Sequence, residues 1–164
     1  MKTKTVYYLT FVLTMLVCIQ SHAQNRGTLL NPFLGIAGTR GSDEIRTPSF
    51  GATAEFFLDE TFSVGAIVTY STVEPEVSFT DEDTQTNGLT IGAFANYYWT
   101  DSESFNFYTG IGLGYDGHDG PYVDGSIYFE IHAGGRYQLS ENLGLFAELG
   151  YGLALFKLGM SFKL

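Results

Sequence analysis

Between Leu29 and Leu164 the chain repeatedly alternates with a period of two, and one side of the alternation carries no charge. One such set reads Phe62, Val64, Ala66, Val68, Tyr70, and a second reads Leu89, Ile91, Ala93, Ala95, Tyr97, Trp99. A third is Ile127, Phe129, Ile131, Ala133, Gly135, Tyr137, and a fourth is Ala154, Phe156, Leu158, Met160, Phe162, Leu164. Side chains of a strand point alternately to opposite faces, so these sets are the apolar faces of β-strands. The opposite faces carry Glu55, Asn96, Tyr98, Glu130, His132, Arg136, Glu148, Lys157 and Lys163, with many glycines and serines.

Turn signals between the alternating runs divide them into eight strands. The boundaries are about Leu29–Thr39, Ser49–Leu58, Phe62–Thr72, Asn87–Trp99, Phe105–Tyr115, Ser126–Leu139, Leu143–Tyr151 and Ala154–Leu164. Connectors after the second, fourth and sixth strands are short and polar. Those after the first, third and fifth are longer: Arg40–Pro48, Val73–Thr86 and Asp116–Gly125. The last hairpin, near Gly152, is tight. A barrel that crosses an outer membrane has short turns at one end and longer loops at the other. A soluble antiparallel sandwich has no reason to sort its connectors in this way.

Two closures of the sheet are conceivable. With the apolar face inward, every Phe, Tyr, Trp, Leu and Ile of those sets would have to fit inside an eight-stranded barrel, whose interior is narrow. The glycine-rich face would then meet water with few charges. With the apolar face outward against lipid, the small and polar residues fill the lumen, where glycine relieves crowding. The second closure fits the residues, and a closed barrel is one of the two structures that lipid tolerates. The fold class expected is therefore an all-β, transmembrane, antiparallel, eight-stranded up-and-down barrel with short periplasmic turns and longer extracellular loops. Aromatic residues fall at both ends of the outward faces, as they do at membrane interfaces. Phe62, Tyr97, Trp99, Phe105, Tyr137 and Phe162 lie near the short turns, and Tyr70 and Tyr115 near the long loops.

The first residues read as an export signal. Lys2 and Lys4 precede an apolar core from Val6 to Ile19, and Ser21-His22-Ala23 places small residues at a cleavage site. Residues 1–23 are expected to be a cleaved signal peptide and 24–164 the barrel domain. Cys18 is the only cysteine, and Val17 stands before it where a lipidation signal wants a small residue. Without Lys2 and Lys4, six basic residues face eighteen acidic ones, a net charge of −12. That excess disfavours nucleic acid and anionic surfaces as partners.

The hairpin YQLSENLGLFAELGYG (Tyr137–Gly152) and the ending FKLGMSFKL (Phe156–Leu164) resemble the small eight-stranded outer-membrane barrels, the family of the OmpA transmembrane domain and OmpX-type proteins. Such strands usually end on an aromatic residue; this one ends on Leu164, with Phe162 two before it. The resemblance covers essentially the whole chain after the signal. It implies a bacterial outer-membrane location, outer-membrane lipids and the barrel-insertion machinery as partners, and a monomer. It implies no particular activity.

Three sets of residues invite chemistry. Glu55, Glu130 and Glu148 balance Arg136, Lys157 and Lys163, and Glu148 should face Lys157 across the last hairpin. Buried charges of one sign are costly, so pairing is expected. With Asn96 and His132 these residues read as a salt-bridged plug of the lumen, or alternatively as the lining of a narrow pore for ions or small solutes. Ser126, Glu130 and His132 suggest a lipid-modifying hydrolase. Six residues along one strand separate Ser126 from His132 by about 20 Å, too far for a serine and its base, and no enzyme activity is expected. Finally, Asp81, Glu82, Asp83, Asp116, Asp119 and Asp124 read as acidic loops. Solvated charge is the plain reading of such runs, since their spacing matches no calcium loop. No cofactor and no metal are expected. The role that remains is structural or interactive, with the loops as contact surface and any extracellular ligand unidentified. A soluble lipocalin-like binder is the alternative from a different class.

Overall fold

The computed structural model describes residues 27–36, 39–40, 43–44, 48–73, 86–100, 102, 104–119 and 125–164. The expected signal peptide and the loop acids Asp81, Glu82, Asp83 and Asp124 lie outside them. Among the described residues there are ten strands: β1 (Thr28–Ile36), β2 (Thr39–Arg40), β3 (Asp43–Glu44), β4 (Ser49–Phe57), β5 (Phe62–Val73), β6 (Thr86–Tyr98), β7 (Phe105–Asp119), β8 (Ser126–Ser140), β9 (Leu143–Tyr151) and β10 (Phe156–Lys163). Eight of them close an antiparallel barrel in the order β1-β10-β9-β8-β7-β6-β5-β4. Each strand pairs with its neighbour in sequence, and β1 closes the ring on β10, with Leu34 opposite Leu158 and Leu30 opposite Phe162. The remaining two, β2 and β3, form a short hairpin inside the first long connector.

Side-chain chemistry accounts for the short turns. Asp59 ends β4 by accepting hydrogen bonds from the backbone N–H groups of Thr61 and Phe62, each at 2.7 Å. An aspartate that holds its own turn in this way needs no support from the rest of the fold. At the β9–β10 connection Gly152 has φ +119°, a conformation that side chains resist. A Cβ there would also stand 3.0 Å from Cα of Glu130.

The facing follows the sequence. Ile111 (54%), Leu113 (58%), Phe129 (55%), Ile131 (52%) and Leu158 (47%) are exposed on the outside, while Glu55, Asn96, Glu130, His132, Arg136 and Lys157 are buried inside. A belt of large exposed apolar residues around the whole barrel far exceeds what soluble monomers present to water.

Several details differ from the expected pattern. Strand β7 runs on to Asp119, four residues past Tyr115. Asp116 therefore belongs to the barrel wall rather than to an acidic loop. It is 1% exposed and accepts a 2.7 Å hydrogen bond from Thr90 Oγ1. Asp119 is also in the strand, its backbone opposite Asn87. Ala154 precedes β10 and is buried together with Leu153, because the tight hairpin folds that segment inward.

The lumen is also less bare than its composition suggests. Leu29, Phe57, Tyr98 and Tyr108 form one buried cluster at the short-turn end. Phe33, Ile67, Phe146 and Leu153 form another toward the long loops, with Phe94 and Tyr128 against it. Glycine makes room for these rings. Phe33 lies opposite Gly51, Phe94 opposite Gly65, Tyr108 opposite Gly134, Tyr128 opposite Gly114 and Phe146 opposite Gly159. A Cβ on Gly134 would stand 2.8 Å from the Tyr108 ring, and one on Gly51 2.8 Å from Phe33 Cε1. Each ring covers a strand position that has no side chain of its own.

Candidate functional site

Between the two apolar clusters lies a polar layer with two carboxylate centres. The first is Glu55 on β4, 1% exposed. Its Oε1 accepts from Ser63 Oγ (2.5 Å), Tyr98 OH (2.6 Å) and Asn96 Nδ2 (2.9 Å). Its Oε2 accepts from Arg136 Nη2 at 2.8 Å and from Asn31 Nδ2 at 3.4 Å. Arg136 on β8 also donates to Tyr98 OH (2.7 Å) and to Ser161 Oγ (2.9 Å). Its guanidinium lies 5.8 Å and 5.3 Å from the ring centres of Tyr98 and Tyr108. Strands β4 and β8 stand four places apart in a ring of eight, so this ion pair spans the diameter of the barrel.

Glu130 on β8 and Glu148 on β9 form the second centre. Lys157 on β10 contacts Glu130 Oε1 and lies 3.2 Å from Glu148 Oε2. Glu148 and Lys157 are direct cross-strand partners. Tyr108 OH donates to Glu148 Oε1 at 2.8 Å, and the Lys157 ammonium sits 5.5 Å from the centre of the Phe33 ring. Glu130, His132 and Glu148 bring one ligand atom each within 4.8 Å of one another. The cation among them is the lysine ammonium, and the cluster is an ion-pair network.

His132 joins the centres. Its Nε2 is 2.9 Å from Asn96 Oδ1 and its Nδ1 is 2.9 Å from Glu130 Oε1. Gly110 is the register partner of both His132 and Asn96, and a side chain there would strike both groups. Every one of the eight barrel strands thus contributes a side chain to one connected network.

Of the residues expected in the lumen, Glu55, Asn96, Glu130, His132, Arg136, Glu148 and Lys157 meet there. Lys163 does not: it is exposed at the short-turn rim, since it is the last residue of β10. Asn31, Ser63, Tyr108 and Ser161 are members that a search for charges passes over, although their inward parity marks them. Ser126 is exposed at the far end of β8, and the nitrogens of His132 face Asn96 and Glu130 rather than a hydroxyl.

On the outer surface, Phe62 and Tyr97 pair edge-on with ring centres 5.0 Å apart, and Tyr97 meets Trp99 at 4.9 Å. Trp99 Nε1 donates to Thr109 Oγ1 at 3.1 Å. Phe105 and Tyr137 are cross-strand partners, and with Phe162 they are also exposed aromatics of this end. Tyr70 and Tyr115 are exposed toward the long-loop end.

No protein-family model matches the chain, and neither does any curated protein. Solved structures do match. The N-terminal β-barrel domain of Pseudomonas aeruginosa OprF is 18% identical with a TM-score of 0.60, covering 85% of this chain and 98% of that one. The fold is that of the small eight-stranded outer-membrane barrels. Neisserial surface protein A matches this barrel at 15% identity and a TM-score of 0.61, over 84% of this chain and 96% of its own. A de novo designed transmembrane β-barrel matches it at 18% identity and a TM-score of 0.58, over 87% and 99%. A designed protein shares little ancestry with natural ones, so this last match speaks for the barrel fold alone.

Proposed function

We propose that this protein is a monomeric barrel of the bacterial outer membrane, closed to solutes, with a structural or surface-contact role. The diametric Glu55–Arg136 pair carries this reading, because it fills the cross-section of a barrel that has little space to begin with. The exported chain would lose residues 1–23 and reach the membrane through the barrel-insertion machinery. The short-turn end faces the periplasm, and the three longer connectors form the contact surface outside the cell. Phe62, Tyr97, Trp99, Phe105, Tyr137 and Phe162 then mark the inner membrane interface, and Tyr70 and Tyr115 the outer one, where amphipathic rings settle. No catalytic role is proposed, since the one buried histidine described is engaged with an amide and a carboxylate.

Planar-bilayer recording of the purified protein tests closure. The expected record has no steady open level, and persistent large channels would overturn the proposal. Location has its own probe, because Trp99 is the only tryptophan and is 61% exposed on the outer face. In vesicles containing lipids brominated near the headgroup its fluorescence should be quenched strongly. Lipids brominated near the chain ends should quench it weakly, and equal quenching by both would remove Trp99 from the interface.

A further inference from the structure

We infer that the polar layer contains a binding site for one water molecule, which donates to Asn31 Oδ1 and accepts from Thr53 and Lys157. An unmet acceptor, a cavity of fitting size and two spare donors lead there.

The amide of Asn31 leaves one atom unmet. Its Nδ2 donates to Thr53 Oγ1 at 2.9 Å and to Glu55 Oε2 at 3.4 Å. Glu55 Oε2 also accepts from Arg136, so turning the amide round would set oxygen against oxygen. The nitrogen therefore faces Glu55, and the oxygen is the atom left over. Among the described residues that oxygen has no hydrogen-bond partner, and Asn31 is 2% exposed. The inward residues on either side of it along β1 are Leu29 and Phe33, one from each apolar cluster. A bare amide oxygen buried at such a place is costly.

The layer has room for an occupant. Asn31, Thr53, Lys157 and Phe33 are among the side chains around a cavity with about 20 Å³ of space for the centre of a water molecule. About 10–15 Å³ on that measure holds one water, so the size selects water and rejects larger solutes. A cavity of this kind stays dry when its wall is wholly apolar and takes water when two to four polar atoms reach it. Here the wall is mixed, with Ile67 and Phe146 beside Glu55 and Arg136.

Two donors complete the site. Thr53 Oγ1 accepts from Asn31 and keeps its own hydrogen to give. Lys157 Nζ carries three hydrogens, and Glu130 and Glu148 engage two of them. A water among these groups gives one hydrogen to Asn31 Oδ1 and receives one each from Thr53 and Lys157. It then ties together β4, β1 and β10, the strands on both sides of the seam where the barrel closes. It also gives the Glu55 centre a second bridge to the Lys157 centre, beside the one through His132. A metal ion in the same seat would be repelled by the Lys157 ammonium in its wall, which favours the neutral occupant.

The test is a crystal structure of the full chain grown from a lipid phase, at a resolution that shows ordered water, with and without Asn31→Leu. Leucine keeps much of the shape of asparagine and offers the cavity no acceptor. In the unaltered protein one peak is expected about 2.7–3.2 Å from Asn31 Oδ1, within hydrogen-bond reach of Thr53 Oγ1 and Lys157 Nζ. In Asn31→Leu that peak should be lost. An empty cavity in the unaltered protein would overturn the inference, and so would a peak that survives the substitution. A peak with several oxygens at about 2.3–2.6 Å, the spacing of a bound cation, would overturn it as well. The unaltered protein alone decides if the variant does not fold.

Discussion

Arg136→Met is expected to destabilise the barrel by about 3–5 kcal/mol, the cost of breaking a buried ion pair from one side. The methionine would retain much of the side chain's bulk between Tyr98 and Tyr108, so the loss comes chiefly from the charge left behind. Glu55 is 1% exposed, and its other donors are neutral. Tyr98 would lose the donor at its oxygen and Ser161 the one at Oγ. Urea unfolding in lipid vesicles, followed by Trp99 fluorescence, measures the effect. The double variant Glu55→Gln with Arg136→Met should recover at least half of the loss, because the orphaned charge goes with the arginine. A loss below about 1 kcal/mol in the single variant, the range of an exposed pair, would show that water reaches the site.

Ile111→Arg should cost about 2–4 kcal/mol, while Ile127→Arg should cost about 0–1 kcal/mol. Both side chains point outward, and Ile127 is the more exposed, at 78% against 54%. In water, neither substitution on such a surface would cost much. In a membrane, depth decides. Ile111 sits mid-strand on β7, level with Ile131, whereas Ile127 is the second residue of β8 at the long-loop end. The same unfolding measurement in vesicles gives both values. Equal and small losses would argue for a barrel whose outer face meets water or another protein.

The elements themselves were legible. The strand from Leu143 to Tyr151 has the boundaries expected, and Phe62, Ser126 and Phe105 begin their strands where alternation begins. Alternation is a local property, and so is an aspartate that closes its own turn, so neither depends on distant residues. The ends were less legible on the long-loop side. Asp116 and Asp119 read as a loop because acid and glycine mark turns, yet β7 continues through them, as its pairing with Asn87 and Thr90 on β6 extends that far. Ala154 shares the parity of Phe156 and Leu158, but the tight hairpin before β10 takes it out of the alternation. Lys163 shares the parity of Lys157 but stands too near the rim to be enclosed.

By itself the sequence determined which residues face out and which face in, because a period of two leaves only two sides and one of them carried no charge. It also determined that Glu148 would face Lys157, since a tight hairpin sets its own register. Tertiary structure alone decided that Glu55 meets Arg136. They are 81 residues apart on opposite staves, and only closure of β1 on β10 brings them together. Pairing of successive barrel strands, rather than that closure, set the inward rings of Phe33, Tyr108 and Phe146 over glycines of neighbouring strands. It also placed His132 between two carboxylate centres, a position no local pattern marks, because register around a barrel is a property of all eight strands at once.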